Sequence, residues 1–245
     1  MTDVSFETVD RIAVLRVRGS RLNIYRRATH EQLCRAMLRF LRDDDLHVAV
    51  IATPPGESWS AGDDVREFDT PFGDAPDWSE VLSAIPRDKP VIAAVRGHCL
   101  GQGFAHLLNL TDIRYAAPGA AFGFPEIKFG IGGAADLSGL TDVIPRTLAR
   151  YLCLTGETLS AADAARYGLV NAVVADEDVE RVAMETAGKI AAHALTAIRA
   201  EMSPVSRLLG GGDPYARAAQ FDALWRMFQS SEAARDVEHG LRRTR

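Results

Sequence analysis

The chain has 245 residues, of which 47% are hydrophobic and 25% charged, so it can fill a sizeable core and is not a disordered polymer. Its 28 Lys and Arg against 33 Asp and Glu leave a formal charge of -5, which argues against a protein that holds nucleic acid by bulk charge. Three cysteines, Cys34, Cys99 and Cys153, are too few and too scattered for a disulfide framework, and no Cys/His cluster has zinc-ligand spacing. The opening residues show no basic stretch followed by an apolar one, and no apolar run of about 18 residues occurs. The expectation is a cytoplasmic protein without a membrane partner.

In chain order, Phe6 to Val17 predicts a hairpin turning at Asp10-Arg11. Leu33, Ala36, Met37, Phe40 and Leu41 recur at helical spacing, with Thr29 as the expected N-cap. His47 to Ala52, Val91 to Val95 and Ile113 to Ala117 are short apolar runs and read as buried strands. Strands separated by helical stretches imply crossovers and parallel pairing. Asp69 to Asp77 reads as an exposed loop. From Pro145 onward the sequence predicts almost only helix, with Ser160 capping a helix that runs to Tyr167 and Gly210 to Pro214 breaking the C-terminal part.

Gly101-Gln102-Gly103 lies between a predicted strand and a predicted helix. A dinucleotide fold would want glycine at position 106, where His106 stands, so that reading is weak. Two readings remain: a tight turn, or a cradle of backbone N–H groups at a helix N-terminus for a developing anion. No GxSxG elbow marks a serine hydrolase. Cys99, beside the turn, reads as a small buried residue.

Several blocks then stand together. Ser60-Ala61-Gly62-Asp63-Asp64 resembles the SAGxD motif of the crotonase superfamily, the enoyl-CoA hydratase/isomerase group. Lys89 to Gly97 resembles its KPVIAAVNG strand, Gly101-Gln102-Gly103 its GGG turn, and Asp112 to Ala117 its DIxxAA strand. Phe122 to Glu126 is similar to its FGxPE motif, and Thr155 through Val170 to its TGxxxxAxxAxxxGLV segment. The blocks keep family order and spacing from about Phe6 to His239. The resemblance implies an α/β protein with a ββα-spiral core over 1–190 that binds acyl-CoA, and a C-terminal helical trimerisation segment over 191–245. Phe221, Leu224, Trp225 and Phe228 are the apolar helical positions expected at the subunit contact of a homotrimer or a dimer of trimers.

The resemblance also implies an acyl-CoA thioester substrate, with coenzyme A as part of the substrate and no separate cofactor or metal. It maps an oxyanion hole onto the backbone N–H groups of Ala61 and Gln102, and substrate binding onto Ser60, Gly62, Asp63, Gly101, Gly103 and Ala105. Glu126 takes the place of one of the two glutamates that hold the attacking water in family hydratases. The other glutamate's place is Ala105, or His106 if the helix carries its extra residue at the start. The loop Gly130 to Leu140 departs from the family pattern and contains Asp136. His106 and Asp136 are therefore the candidates for a second acid/base, with a plain helix histidine and a helix N-cap as their alternatives. Asp63 and Asp64 are expected to cap a short helix to Phe68. Arg21 to Arg27 reads either as a solvated face or as a holder of CoA phosphates. With one carboxylate kept, a double-bond shift fits better than hydration, which is the alternative. A catalytically silent homolog that binds CoA esters is the second alternative.

Overall fold

A computed structural model describes residues 2–67, 76–132 and 138–202. The expectations for Asp136, for Gly210 to Pro214 and for Phe221, Leu224, Trp225 and Phe228 lie outside the described residues, as does most of the loop from Asp69.

The strands are β1 (Asp3–Val9), β2 (Ile12–Arg18), β3 (Val48–Ala52), β4 (Val91–Val95), β5 (His98–Leu100), β6 (Ile113–Ala116), β7 (Ala121–Gly123), β8 (Leu159–Ser160) and β9 (Ala172–Val173). The α-helices are α1 (Arg27–Arg42), α2 (Trp78–Ser83), α3 (Gln102–Leu110), α4 (Leu140–Val143), α5 (Arg146–Thr155), α6 (Ala161–Arg166), α7 (Val179–Ala191) and α8 (Leu195–Met202). One sheet runs β1-β2-β3-β4-β6-β9, and a smaller one β5-β7-β8. The β1–β2 hairpin is antiparallel and turns at Asp10-Arg11 as the sequence predicts. From β2 to β9 the large sheet is parallel.

The apolar runs alternate between two cores. Leu15 of β2, Ile51 of β3 and Ala93 of β4 pack with Leu33, Met37 and Phe40 of α1. Their neighbours Val14, Val50, Ile92 and Ala94 pack with Val179, Ala183 and Ala187 of α7. A parallel sheet covered on both faces needs apolar residues at every position, hence the unbroken runs. Lys89 at the start of β4 is fully buried. Its ammonium donates to the carbonyls of Phe40 (3.2 Å) and Asp43 (2.6 Å) at the end of α1. A cation there satisfies carbonyls that a helix end leaves open.

Three local expectations are corrected. Thr29 is not the N-cap of α1: that position is Arg26, and Thr29 accepts from the Arg26 N–H in the first turn. The stretch after Pro145 also carries β8 and β9, each 2 residues long. Asp64 alone caps the short turn Val65–Glu67, accepting from the Arg66 N–H at 3.2 Å, while Asp63 bonds elsewhere. Ser160 caps α6 as expected, accepting from the Asp163 N–H. Beyond residue 190, α8 is tied to the core by Arg199, which pairs with Asp44 (2.6 Å) and Asp88 (2.7 Å).

Candidate active site

The SAGxD segment forms a strap between β5 and the stretch before α1. On one side the Ser60 N–H donates to His98 and the Leu100 N–H to Ser60, both at 2.9 Å. On the other, the Ala61 N–H donates to the Leu22 carbonyl at 2.8 Å and the Tyr25 N–H to the Gly62 carbonyl at 2.9 Å. Ser60 is fully buried, and its hydroxyl donates to the Asn23 carbonyl (2.8 Å) while accepting from the Gly62 N–H (3.1 Å). These bonds correct two expectations. The Ala61 N–H is spent on Leu22 and is not open to a substrate oxygen, and the Ser60 side chain braces the strap instead of lining a cavity. The next amide along, that of Asp63, donates to no acceptor among the described residues.

The glycine turn lies against this strap. Gly101 precedes α3 with φ of +55°, a conformation L side chains rarely take. A Cβ there would come 2.7 Å from Glu126 Oε1, so the missing side chain is what lets the carboxylate sit over the turn. Gly62 has φ of +101°, and its Cβ would lie 3.8 Å from the Gln102 amide nitrogen. Strap and turn are thus in contact at Gln102. As the first residue of α3, Gln102 has no intrahelical acceptor for its N–H, and the helix dipole adds positive potential there. The Gln102 side chain donates to the Ser79 hydroxyl of α2 at 3.3 Å. Gly103 is buried, its carbonyl accepting from the Trp59 indole at 2.9 Å. That bond clamps strap to helix and makes Gly103 a packing residue.

Glu126 follows β7 in a one-and-a-half-turn 3₁₀ segment, Pro125–Phe129. Its Oε2 is buried and unpartnered among the described residues. Burial raises its proton affinity, the nearby Asp63 charge adds to the effect, and a bond to its own backbone opposes it. Glu126 lines a cavity of about 530 Å³ with Gly101, Gln102, Ala105, Asn109 and Phe124, across from Ser79 and Glu80 of α2. Gln102, Ala105 and Asn109 are spaced three and four apart, so they share one face of α3. That face carries no carboxylate.

His106 is one residue off this face and fully buried, outside the cavity lining. Its Nε2 lies 3.0 Å from Nδ1 of His30 on α1, whose Nε2 lies 2.9 Å from Asp63 Oδ1. Burial, with His30 adding, holds His106 well below the usual imidazole range, so it is neutral. This corrects the expectation of His106 as a second acid/base: it is fully buried and lines neither the Glu126 cavity nor the smaller one beside it. Asp63 lines a smaller neighbouring cavity of about 250 Å³ with Tyr25, Arg26, Arg27 and His30. The two cavities share Asp77 and Ser79. The basic stretch divides: Arg26 pairs with Asp64 at 3.0 Å, Arg27 binds the Glu67 carbonyl at 3.1 Å, and Arg21 lies on a separate cavity with Glu57 and Arg96. Cys99 is fully buried, and burial pushes its thiol up, as a small core residue should behave.

Sequence reading missed His30, Trp59 and Glu80. Each gains its place through a contact distant in sequence, although Trp59 adjoining the strap motif was a signal that something there is clamped.

The enoyl-CoA hydratase/isomerase family model matches residues 7–244. Over 210 residues the chain is 35% identical to a mevalonyl-coenzyme A hydratase of Aspergillus fumigatus, covering 81% of this chain and 76% of the relative. It is 36% identical over 212 residues to a probable enoyl-CoA hydratase of Mycobacterium tuberculosis, covering 81% and 78%. A carnitinyl-CoA dehydratase of Salmonella typhi is 35% identical over 176 residues, covering 67% and 65%. The crystal structure of an enoyl-CoA hydratase from Mycobacterium tuberculosis H37Rv superposes with a TM-score of 0.83 at 30% identity, covering 98% of this chain and 96% of that one.

Proposed function

The chain belongs to the enoyl-CoA hydratase/isomerase family of the crotonase superfamily, and on that premise we propose that it shifts a carbon–carbon double bond of an acyl-CoA thioester through an enolate. The observation that carries this reading is the cavity face of α3, which presents Ala105, and no carboxylate, opposite Glu126. One carboxylate is enough for a shift. Glu126 takes a proton from C2 of a 3-enoyl thioester, the electron pair moves onto the carbonyl oxygen, and the same carboxyl returns the proton at C4. The raised proton affinity of Glu126 suits a group that must both take and return a proton.

The enolate oxygen needs preset donors. With the Ala61 N–H engaged by Leu22, the Asp63 and Gln102 amides fill this role in the reading proposed here. Each such donor is worth about 3 kcal/mol in the transition state. Coenzyme A is part of the substrate.

Hydration is a second reading. Relatives named as hydratases and a dehydratase favour it, and so does Glu80, the other glutamate on the cavity. The deciding experiment follows the absorbance of a conjugated thioester. A rise with 3-enoyl-CoA and little loss with 2-enoyl-CoA is the expected result. Rapid loss with 2-enoyl-CoA would replace the shift by hydration. No change with either, across short and medium chains, would leave a CoA-ester-binding protein without this chemistry. For assembly, the trimer reading is supported by Phe129, Tyr151 and Leu154, large apolar side chains that stay exposed on neighbouring elements.

A further inference from the structure

Buried histidine pairs are costly unless each ring nitrogen is accounted for, and here the accounting runs in one direction. His106 is neutral and fully buried, and its Nδ1 has no partner among the described residues. An unpartnered N–H in the core costs more than a weakly solvated lone pair, so the proton is assigned to Nε2. That N–H donates to His30 Nδ1 at 3.0 Å. His30 then carries its proton on Nε2 and donates to Asp63 Oδ1 at 2.9 Å. The Tyr25 ring fixes both imidazoles, edge-on to His30 at 5.5 Å and stacked on His106 at 5.9 Å. The chain of bonds ends on the strap residue whose own N–H is left open.

We propose that His30 is a positioning residue for the enolate chemistry, acting through Asp63 with His106 as its fixed support. The inference rests on the reading of the preceding subsection. A carboxylate on the residue that offers an amide to a developing anion is a hazard, because a free side-chain rotation would bring negative charge toward the oxygen. The bond from His30 ties that carboxylate toward α1 and keeps the Asp63 peptide beside Gln102. The other charged groups on the same cavity are Arg26, Arg27, Asp64, Glu67 and Asp77, the last of which caps α2 by accepting from the Ser79 N–H. Arg26 is engaged by Asp64 at 3.0 Å and Arg27 by the Glu67 carbonyl at 3.1 Å, which leaves His30 as the observed partner of Asp63.

The test is a double-mutant cycle between His30→Leu and Asp63→Ala with two readouts. One is turnover of 3-enoyl-CoA. The other is the red shift of bound 2,4-hexadienoyl-CoA, which reports how strongly the protein polarises the thioester carbonyl. His30→Leu should lower kcat about 10-fold or more with KM held within about threefold, and should shrink the red shift. In the Asp63→Ala background the same change should cost less than about twofold, because its target is gone. His30→Gln, which keeps an N–H at similar reach, should recover most of the loss. If His30→Leu does not fold, the shorter His30→Asn takes its place in the cycle. Equal losses in both backgrounds, or an unchanged red shift in the single variant, would overturn the inference. A native protein that neither shifts the probe nor turns over 3-enoyl-CoA would overturn the enolate reading, a result distinct from a normal native signal that His30 does not affect.

Discussion

Glu126 shows how a single residue's surroundings set its chemistry. The carboxyl is partly withdrawn from water, and no cation among the described residues pairs with it. Its proton affinity is higher folded than unfolded, so the folded protein binds that proton more tightly. Stability from this site therefore falls as pH rises from the ordinary carboxylate range through the raised folded value. Glu126→Gln should remove that loss: its melting temperature should equal or exceed the native one near about pH 8, with the advantage gone near about pH 4. Turnover should drop by about 10² or more in the same variant, since the base is gone. Activity of the native protein in the direction that starts from proton removal should fall on the acid side, at a pH above the usual glutamate range. Steady-state rates and melts across pH check both limbs, and unchanged turnover in the variant would remove Glu126 from the reaction.

At the scale of elements, the site is a junction of strap, turn and helix, each held by backbone bonds. Gly101→Ala would place a Cβ 2.7 Å from Glu126 Oε1 on a backbone with φ of +55°. With ψ of −131° this backbone lies outside the left-handed helical region and costs an L residue about 1–3 kcal/mol, a loss the fold should survive. The displaced carboxylate should cost more in kcat than in melting temperature, which parallel kinetics and thermal melts will separate. Ala105→Glu tests the face of α3. It would set a second carboxylate across the cavity from Glu126 and should raise hydration of a four-carbon 2-enoyl-CoA above the native level. The gain is limited, because a carboxyl close to another in a partly dry site holds its proton. His106→Glu should gain nothing and should destabilise the protein, since it puts an acid into the core against His30. Efficient hydration by the native protein would instead end the preference for a double-bond shift.

At the scale of the molecule, exposed apolar side chains beside the site ask for a cover. Phe129, at the end of the Glu126 segment, is 77% exposed, and Leu154 on the neighbouring α5 is 69% exposed. A trimer, or a dimer of trimers, is the expected state, and light scattering at micromolar concentration should return that mass. A monomer would refute it. Phe129→Ser with Leu154→Ser should shift the mass downward if these side chains lie in the contact.

The sequence by itself determined the family, the parallel sheet and the position of Glu126. Unbroken apolar runs demand a sheet covered on both faces, while the family and the candidacy of Glu126 came from the resemblance of whole blocks of sequence to family motifs. The KPVIAAV run even carried its anchor, since Lys89 closes the end of α1. Three things waited for the tertiary structure. Which strap amide is open depends on Leu22 reaching Ala61, a bond across nearly 40 residues of chain that no motif spells out. Whether Ala105 or His106 faces the cavity depends on the rotation of α3, which is set by packing of Phe104 and Leu107 in the core. The pairing of His30 with His106 and Asp63 joins three elements whose spacing in sequence has no period at all. Local periodicity can announce an element, but only the packing of elements decides which side chains meet.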